Sequence, residues 1–161
     1  MTEPILEPGY WARRLREAAV QHHAVFRCPL DRWQRIEDKH RAILARVVNS
    51  GDFILDAGCG WGRLLTLMPP TWFGAYVGID LSPAFIQLAR TLHPLRRFEV
   101  GDLRTLLPMQ AFDLGVLISI RPMVIRNCGQ ETWDQMNDSL RSCCKRLLFL
   151  EYDENGDGSV E

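Results

Sequence analysis

Residues 56–62 read Asp-Ala-Gly-Cys-Gly-Trp-Gly, directly after the apolar run Phe53-Ile-Leu55 and directly before Arg63-Leu-Leu65. Three glycines at alternate positions, Gly58, Gly60 and Gly62, let the backbone take φ > 0 and let a ligand approach with no Cβ in the way. A strand that stops at such a turn and restarts as a helix exposes backbone N–H groups at the positive end of the helix dipole. The chemistry on offer is binding of a polar or anionic ligand group. Asp80 follows Gly62 by eighteen residues, a distance at which a carboxylate can accept the hydroxyls of a ribose. An isolated aspartate there would read equally well as a turn or helix-capping residue, but Ser82 is the better cap.

The elements that must position these residues alternate in type. Residues 1–9, with Pro4, Pro8 and Gly9, favour no regular structure, and helical spacing then runs from Tyr10 to about Gln21. A longer helix starts at Asp31, with Gln34 completing a capping box, and keeps Trp33, Ile36, His40, Ile43, Leu44 and Val47 on one face until Asn49-Ser-Gly51. Strands are predicted at Phe53–Asp56, Tyr76–Asp80, Phe98–Val100, Phe112–Ile120 and Arg146–Tyr152. Helices are predicted at Trp61–Met68, Ser82–His93 and Glu131–Lys145, with a loop through Arg121-Pro122 and Asn127-Cys-Gly129. Near-continuous apolar strands between helices imply an α/β fold whose mostly parallel, doubly wound sheet is covered on both faces and binds ligands at the carboxyl ends of its strands.

The glycine turn departs from the dinucleotide fingerprint Gly-x-Gly-x-x-Gly, because Arg63 stands where the third glycine belongs and Gly62 comes one residue early. Asp56-Ala-Gly-Cys-Gly-Trp-Gly62 instead resembles the first motif of class I S-adenosylmethionine-dependent methyltransferases. That resemblance implies a Rossmann-like core of about five strands in the order 3-2-1-4-5, with S-adenosyl-L-methionine as cofactor. Its implied cofactor contacts are Asp56, Gly58, Cys59, Gly60 and Gly62 at the first strand, Asp80 and Leu81 at the second, and Asp102 and Leu103 at the third. Ser119 at the fourth completes the set. Within it, Asp102 would take the adenine amine, while Leu81 and Leu103 pack on the ring. The implied activity is methyl transfer, in which the protein mainly positions an already activated methyl group.

The acceptor is less legible. The fourth strand ends in Leu117-Ile-Ser-Ile-Arg-Pro122, without the Asp/Asn-Pro-Pro-Tyr/Phe that family members acting on exocyclic or amide nitrogens carry. It also lacks a Pro-Cys nucleophile and the paired glutamates of protein-arginine enzymes. The reading is a small polar or small-molecule acceptor, with Arg121, Ser119 and Tyr10 as candidate catalytic residues. Arg121 suits a carboxylate or phosphate. Trp11, His22, His23, Trp33 and His40 belong to N-terminal helices that would fold over the cofactor mouth, although His40 shares a face with Trp33 and Ile36 and reads more simply as a core histidine. The alternative is a non-catalytic subunit or sensor that binds S-adenosylmethionine or S-adenosylhomocysteine.

The 161 residues, 47% hydrophobic, suit a single domain: N-terminal helices over 1–51, the sheet core over 52–152 and an acidic tail over 153–161. A net charge of −1 gives no field that would gather nucleic acid or an acidic membrane. Five cysteines without a Cys-x-x-Cys pair argue against a disulfide framework or a zinc site, and no apolar run approaches a membrane span, so a cytoplasmic protein is expected. The usual C-terminal hairpin of the resembled family is lacking, which would leave the fifth-strand edge to the N-terminal helices or to a homo-oligomer. Asp153-x-Asn155-x-Asp157-Gly158 imitates the start of a calcium loop, but the chain ends before the twelfth-position glutamate, so no metal is expected.

Overall fold

A computed structural model describes residues 5–17, 29–106 and 111–151. Its order is α1 (Pro8–Glu17), α2 (Leu30–Val47), β1 (Ile54–Ala57), β2 (Tyr76–Asp80), α3 (Pro83–Leu92), β3 (Arg97–Val100), β4 (Leu114–Ile118), α4 (Ile120–Cys128), α5 (Gln130–Cys143) and β5 (Leu147–Leu150). The five strands form one sheet in the order β3-β2-β1-β4-β5. Every pairing is parallel, with Asp56 opposite Gly78 on one side and Val116 on the other. This is the doubly wound α/β sheet implied above.

Alternation along each strand divides the core into two layers. Ile54, Tyr76, Leu114, Val116 and Leu148 face a layer closed by Leu44 of α2 and by Ile86 and Ala89 of α3. Leu55, Ala57, Val77, Ile79, Leu117 and Phe149 face the other, closed by Val124 of α4 and by Trp133, Met136 and Leu140 of α5. Among the described residues no helix is long and apolar enough to cross a membrane.

Three local expectations need correction. The segment behind the glycine turn is not an α-helix over 61–68 but a single 3-10 turn, Arg63–Thr66. Gly62 is left-handed at φ 81°, the Thr66 hydroxyl bonds to the Arg63 carbonyl at 2.8 Å, and Pro69-Pro70 bars continuation. So short a turn brings little helix dipole to the site. The second correction is at α2, which begins after Pro29. Asp31 lies inside its first turn and pairs with Arg35 at 2.8 Å rather than capping. The third is at residues 119–129. β4 stops at Ile118, and α4 occupies most of the predicted loop, because Ile120, Met123 and Val124 have helical spacing and Pro122 sits in a first turn, where a missing N–H costs nothing. A further 3-10 turn, Leu103–Thr105, follows β3. The end of the first predicted helix, Cys28, His22 and His23, Tyr152 and the acidic tail lie outside the described residues.

Candidate functional site

The carboxyl ends of β1, β2, β3 and β4 meet around one cavity of about 100 Å³. Its walls hold Gly58 and Gly60 from the turn, Asp80 and Leu81 after β2, Asp102 and Leu103 after β3, and Ser119 after β4. Four separate strand ends thus deliver seven of the predicted site residues to one place. A smaller void of about 40 Å³ behind the same turn is lined by Asp56, Cys59 and Arg63 along with Gly58 and Gly60.

The glycines divide by what surrounds them. Gly60, at φ 53°, has open space where a Cβ would stand, and Gly58, at φ 76°, turns that position toward the Ile120 side chain. Gly62 is different: at φ 81° its Cβ position meets His93 Cδ2 at 2.8 Å and Phe98 Cζ at 2.9 Å, so this glycine lets the turn pack on its own core.

Asp80 holds the turn in place. Its Oδ2 accepts the Gly60 N–H at 2.9 Å and its Oδ1 accepts the Ser82 N–H at 2.8 Å. Burial raises its pKa above the ordinary carboxylate value, against the lowering effect of those two N–H donors. Each oxygen keeps a further lone pair for a ligand hydroxyl. Ser82 caps α3, as expected, with Pro83 at the first helical position.

Asp102 lines the cavity, but Arg104 already grips it. The Arg104 Nε lies 3.0 Å from both carboxylate oxygens and Nη2 lies 2.5 Å from Oδ2, a pairing that lowers the Asp102 pKa. Leu103 beside it is buried and presents an apolar wall.

Behind the turn, Asp56 is sealed from solvent and accepts the Tyr76 hydroxyl at 2.7 Å. Burial pushes its carboxyl up to about 7. Cys59 is likewise buried, which raises its thiol pKa well above the ordinary value. Arg63, the residue that broke the dinucleotide fingerprint, ties the turn to α2. Its Nε donates to Glu37 at 3.1 Å, its guanidinium lies 4.1 Å over the Trp33 ring, and Nη2 reaches to 3.5 Å from His40 Nδ1. Burial first, then that neighbouring charge, hold His40 down to about 3. His40 is therefore a neutral core histidine, the simpler of its two readings.

The remaining candidates stand apart from the cavity. Tyr10 is buried against Trp11, ring centroids 5.0 Å apart, and its hydroxyl accepts from Arg14 at 3.0 Å. Arg121, in the first turn of α4, lies 3.9 Å from Glu151. Trp11 is the N-terminal residue that does reach the cavity, together with Ile5 and Leu6. Met123, Val124 and Met136 complete the apolar wall and were not foreseen. For Met123 and Val124 the signal was the 120/123/124 spacing that Pro122 obscured. Among the described residues no group of three or more His, Cys, Asp or Glu side chains is placed to hold a metal ion.

Residues 54–146 match the family described as "Methyltransferase domain". Over 64 residues the chain is 42% identical to a trans-aconitate 2-methyltransferase of Escherichia coli O157:H7, a match covering 38% of this chain and 25% of that relative. The chain thus spans about a quarter of the length of the curated relatives it matches. Among solved structures it resembles a magnesium protoporphyrin IX methyltransferase from Synechocystis PCC 6803 with bound S-adenosylmethionine. That likeness has a TM-score of 0.61 at 21% identity, over 92% of this chain and 74% of that one. It also resembles a TehB-like methyltransferase from Corynebacterium glutamicum, with a TM-score of 0.56 at 23% identity, over 74% and 68% of the two chains. At these identities the structural likenesses establish the fold.

Proposed function

Because this chain belongs to the methyltransferase domain family, we propose that it binds S-adenosyl-L-methionine at the carboxyl ends of its strands and transfers the cofactor's methyl group to a small polar acceptor. The observation that carries this reading is the meeting of Gly58, Gly60, Asp80, Leu81, Asp102 and Leu103 around one cavity. The residues fit the group: Gly60 leaves a cradle that a Cβ would fill, and the Asp80 carboxylate is fixed by two backbone donors with acceptor capacity to spare. Asp80 would take the ribose hydroxyls. Leu81 and Leu103 would flank the adenine, and Asp102 would offer its exocyclic amine whatever acceptor capacity Arg104 leaves. The turn, with Asp56, Cys59 and Gly62 supporting it, would seat the methionine end.

The bound cofactor would supply an activated methyl group on a sulfonium. The chain's own part is to hold the acceptor in line with it and to keep water out, and alignment of that kind can account for much of a rate enhancement. A near-neutral charge supports a dissolved small-molecule acceptor over nucleic acid, and cysteines without a disulfide pattern support a cytoplasmic setting. The named activity of the curated relative, methylation of trans-aconitate, points the same way.

Calorimetry with S-adenosylhomocysteine tests the cofactor. We expect wild-type binding and a loss of roughly tenfold or more in Asp80→Ala. Wild-type affinity in both Asp80→Ala and Asp102→Ala would sink the assignment. Release of labelled methyl to a metabolite panel tests turnover, and binding without turnover would favour the sensor.

A further inference from the structure

Asp102 stands on the cavity wall at the carboxyl end of β3, yet most of its acceptor capacity is spent within its own turn. A carboxylate offers about four lone-pair sites. Oδ1 accepts the Arg104 backbone N–H at 2.9 Å and Arg104 Nε at 3.0 Å. Oδ2 accepts Nη2 at 2.5 Å and shares the Nε hydrogen at 3.0 Å. Two nitrogens of one guanidinium on one carboxylate make a charge-assisted pairing, stronger than the bond a neutral amine could offer in its place.

The local backbone keeps that pairing closed. Leu103–Thr105 is a 3-10 turn whose Thr105 N–H donates to the Asp102 carbonyl at 3.1 Å, so Arg104 is brought back beside Asp102 with no long loop to order. Asp80, the other carboxylate on the wall, is held differently. Its partners are two backbone N–H groups, one on each oxygen, with no cation among them. The two carboxylates are therefore unequal: Asp80 keeps its charge and spare lone pairs, whereas Asp102 is neutralised by its neighbour.

The consequence falls on the base. Leu81 and Leu103 give a purine apolar flanks, and apolar contact does not tell one purine from another, so discrimination at the purine 6 position rests on Asp102. A bare carboxylate accepts from a 6-amino group and repels a 6-oxo group. A carboxylate already paired with a guanidinium gains less from the amine and repels the carbonyl less.

We propose that Arg104 is a specificity-determining residue that relaxes the reading of the purine 6 position, so that the cavity takes a 6-oxopurine nucleoside nearly as well as the 6-aminopurine one. The inference rests on the cofactor reading above. The Arg104 and Asp102 side chains are 38% and 24% exposed, and solvent screening limits each of the two opposed effects to about fivefold.

The test is calorimetry on the full chain with S-adenosylhomocysteine and with S-inosylhomocysteine, which differs only in a 6-oxo group. The wild type should prefer the first by less than about tenfold. Arg104→Ala keeps the backbone N–H that Asp102 caps and frees the carboxylate. It should bind S-adenosylhomocysteine more tightly and S-inosylhomocysteine more weakly, raising the ratio of the two affinities by about fivefold or more. Arg104→Lys keeps the charge without the fork and should fall between. A purely structural role for Arg104 would weaken both ligands alike and leave the ratio where it was. A wild-type preference of tenfold or more, or a smaller rise of the ratio in Arg104→Ala, would overturn the assignment of Arg104 alone. A wild type that binds neither ligand would overturn the underlying cofactor reading instead.

Discussion

The Tyr76 hydroxyl donates to Oδ2 of Asp56 at 2.7 Å, from β2 to β1, in an environment where the Asp56 carboxyl titrates near 7. Between about pH 4 and 7 the folded chain keeps a proton that the unfolded chain has lost, so this group makes stability fall as pH rises, by about 4 kcal/mol over the window. Asp80, also raised, acts in the same direction. His40 acts in the opposite one. Held near 3, it stays neutral where the unfolded chain protonates, so its contribution is lost as pH falls from about 6.5 toward 3. The two trends oppose each other between about pH 4 and 6.5. Urea unfolding of variants separates them. His40→Leu should lose stability as pH rises, and Asp56→Asn should gain it. Parallel pH profiles in the two variants would refute the account.

Arg63 should be worth far more than an exposed arginine, because it joins the glycine turn to α2 through Glu37 and Trp33 while itself nearly buried. Arg63→Ala is expected to lower stability by about 2–3 kcal/mol. Arg63→Lys should recover only part, since an ammonium cannot both stack on the indole and reach the carboxylate. Chemical denaturation of the three proteins measures this.

The glycines of the turn should separate by phenotype. Gly62→Ala places a methyl group against His93 and Phe98 at a positive φ and should destabilise the fold by about 2–4 kcal/mol. Gly60→Ala meets open space and should cost only about 1–2 kcal/mol through its backbone. It should nonetheless weaken S-adenosylhomocysteine binding at least roughly tenfold, because its methyl group would stand where the ligand must come. Thermal melts and calorimetry on the same preparations distinguish the two.

Trp11 closes the cavity from the N-terminal side, its indole N–H tied to the Ile5 carbonyl at 2.7 Å and its ring 6.2 Å from that of Phe85 on α3. About 100 Å³ is less than the ~300 Å³ and more that ligand pockets usually offer, so we expect a nucleoside to displace this segment on entry. Trp11→Ala should raise both association and dissociation rates of S-adenosylhomocysteine, by stopped-flow fluorescence of the remaining tryptophans. Unchanged rates would mean that α1 does not limit entry.

Most of the sheet was legible because its strands are continuous apolar runs that end in glycine or aspartate, and the residues at those ends line the cavity. That Asp80 and Asp102 stand at strand ends beside the glycine turn could be read from spacing and resemblance. What escaped was fixed by tertiary contact. The 3-10 turn at Arg63–Thr66 depends on how Gly62 packs against Phe98, which no local pattern reports. α4 was hidden because Pro122 reads as a breaker unless the helix is known to begin two residues earlier. Arg63 registered only as a missing glycine, since its partners Glu37 and His40 lie more than twenty residues away. Arg104's hold on Asp102 needed a rotamer to be seen.

The position of β1 between β2 and β4 gives its two edges partners at very different distances along the chain. β1 meets β2 after a short connection, but its other edge waits for a partner some sixty residues later, where the Phe53 N–H closes on Asp113 at 2.9 Å. Non-local pairing of this kind slows folding. On a ribosome the half-sheet β3-β2-β1 would emerge first with the β1 edge open, and the glycine turn would be complete in sequence well before the strand and helix that form the far wall of its cavity. A ligand that touches both the turn and the residues after β4 meets both walls only once β4 has docked.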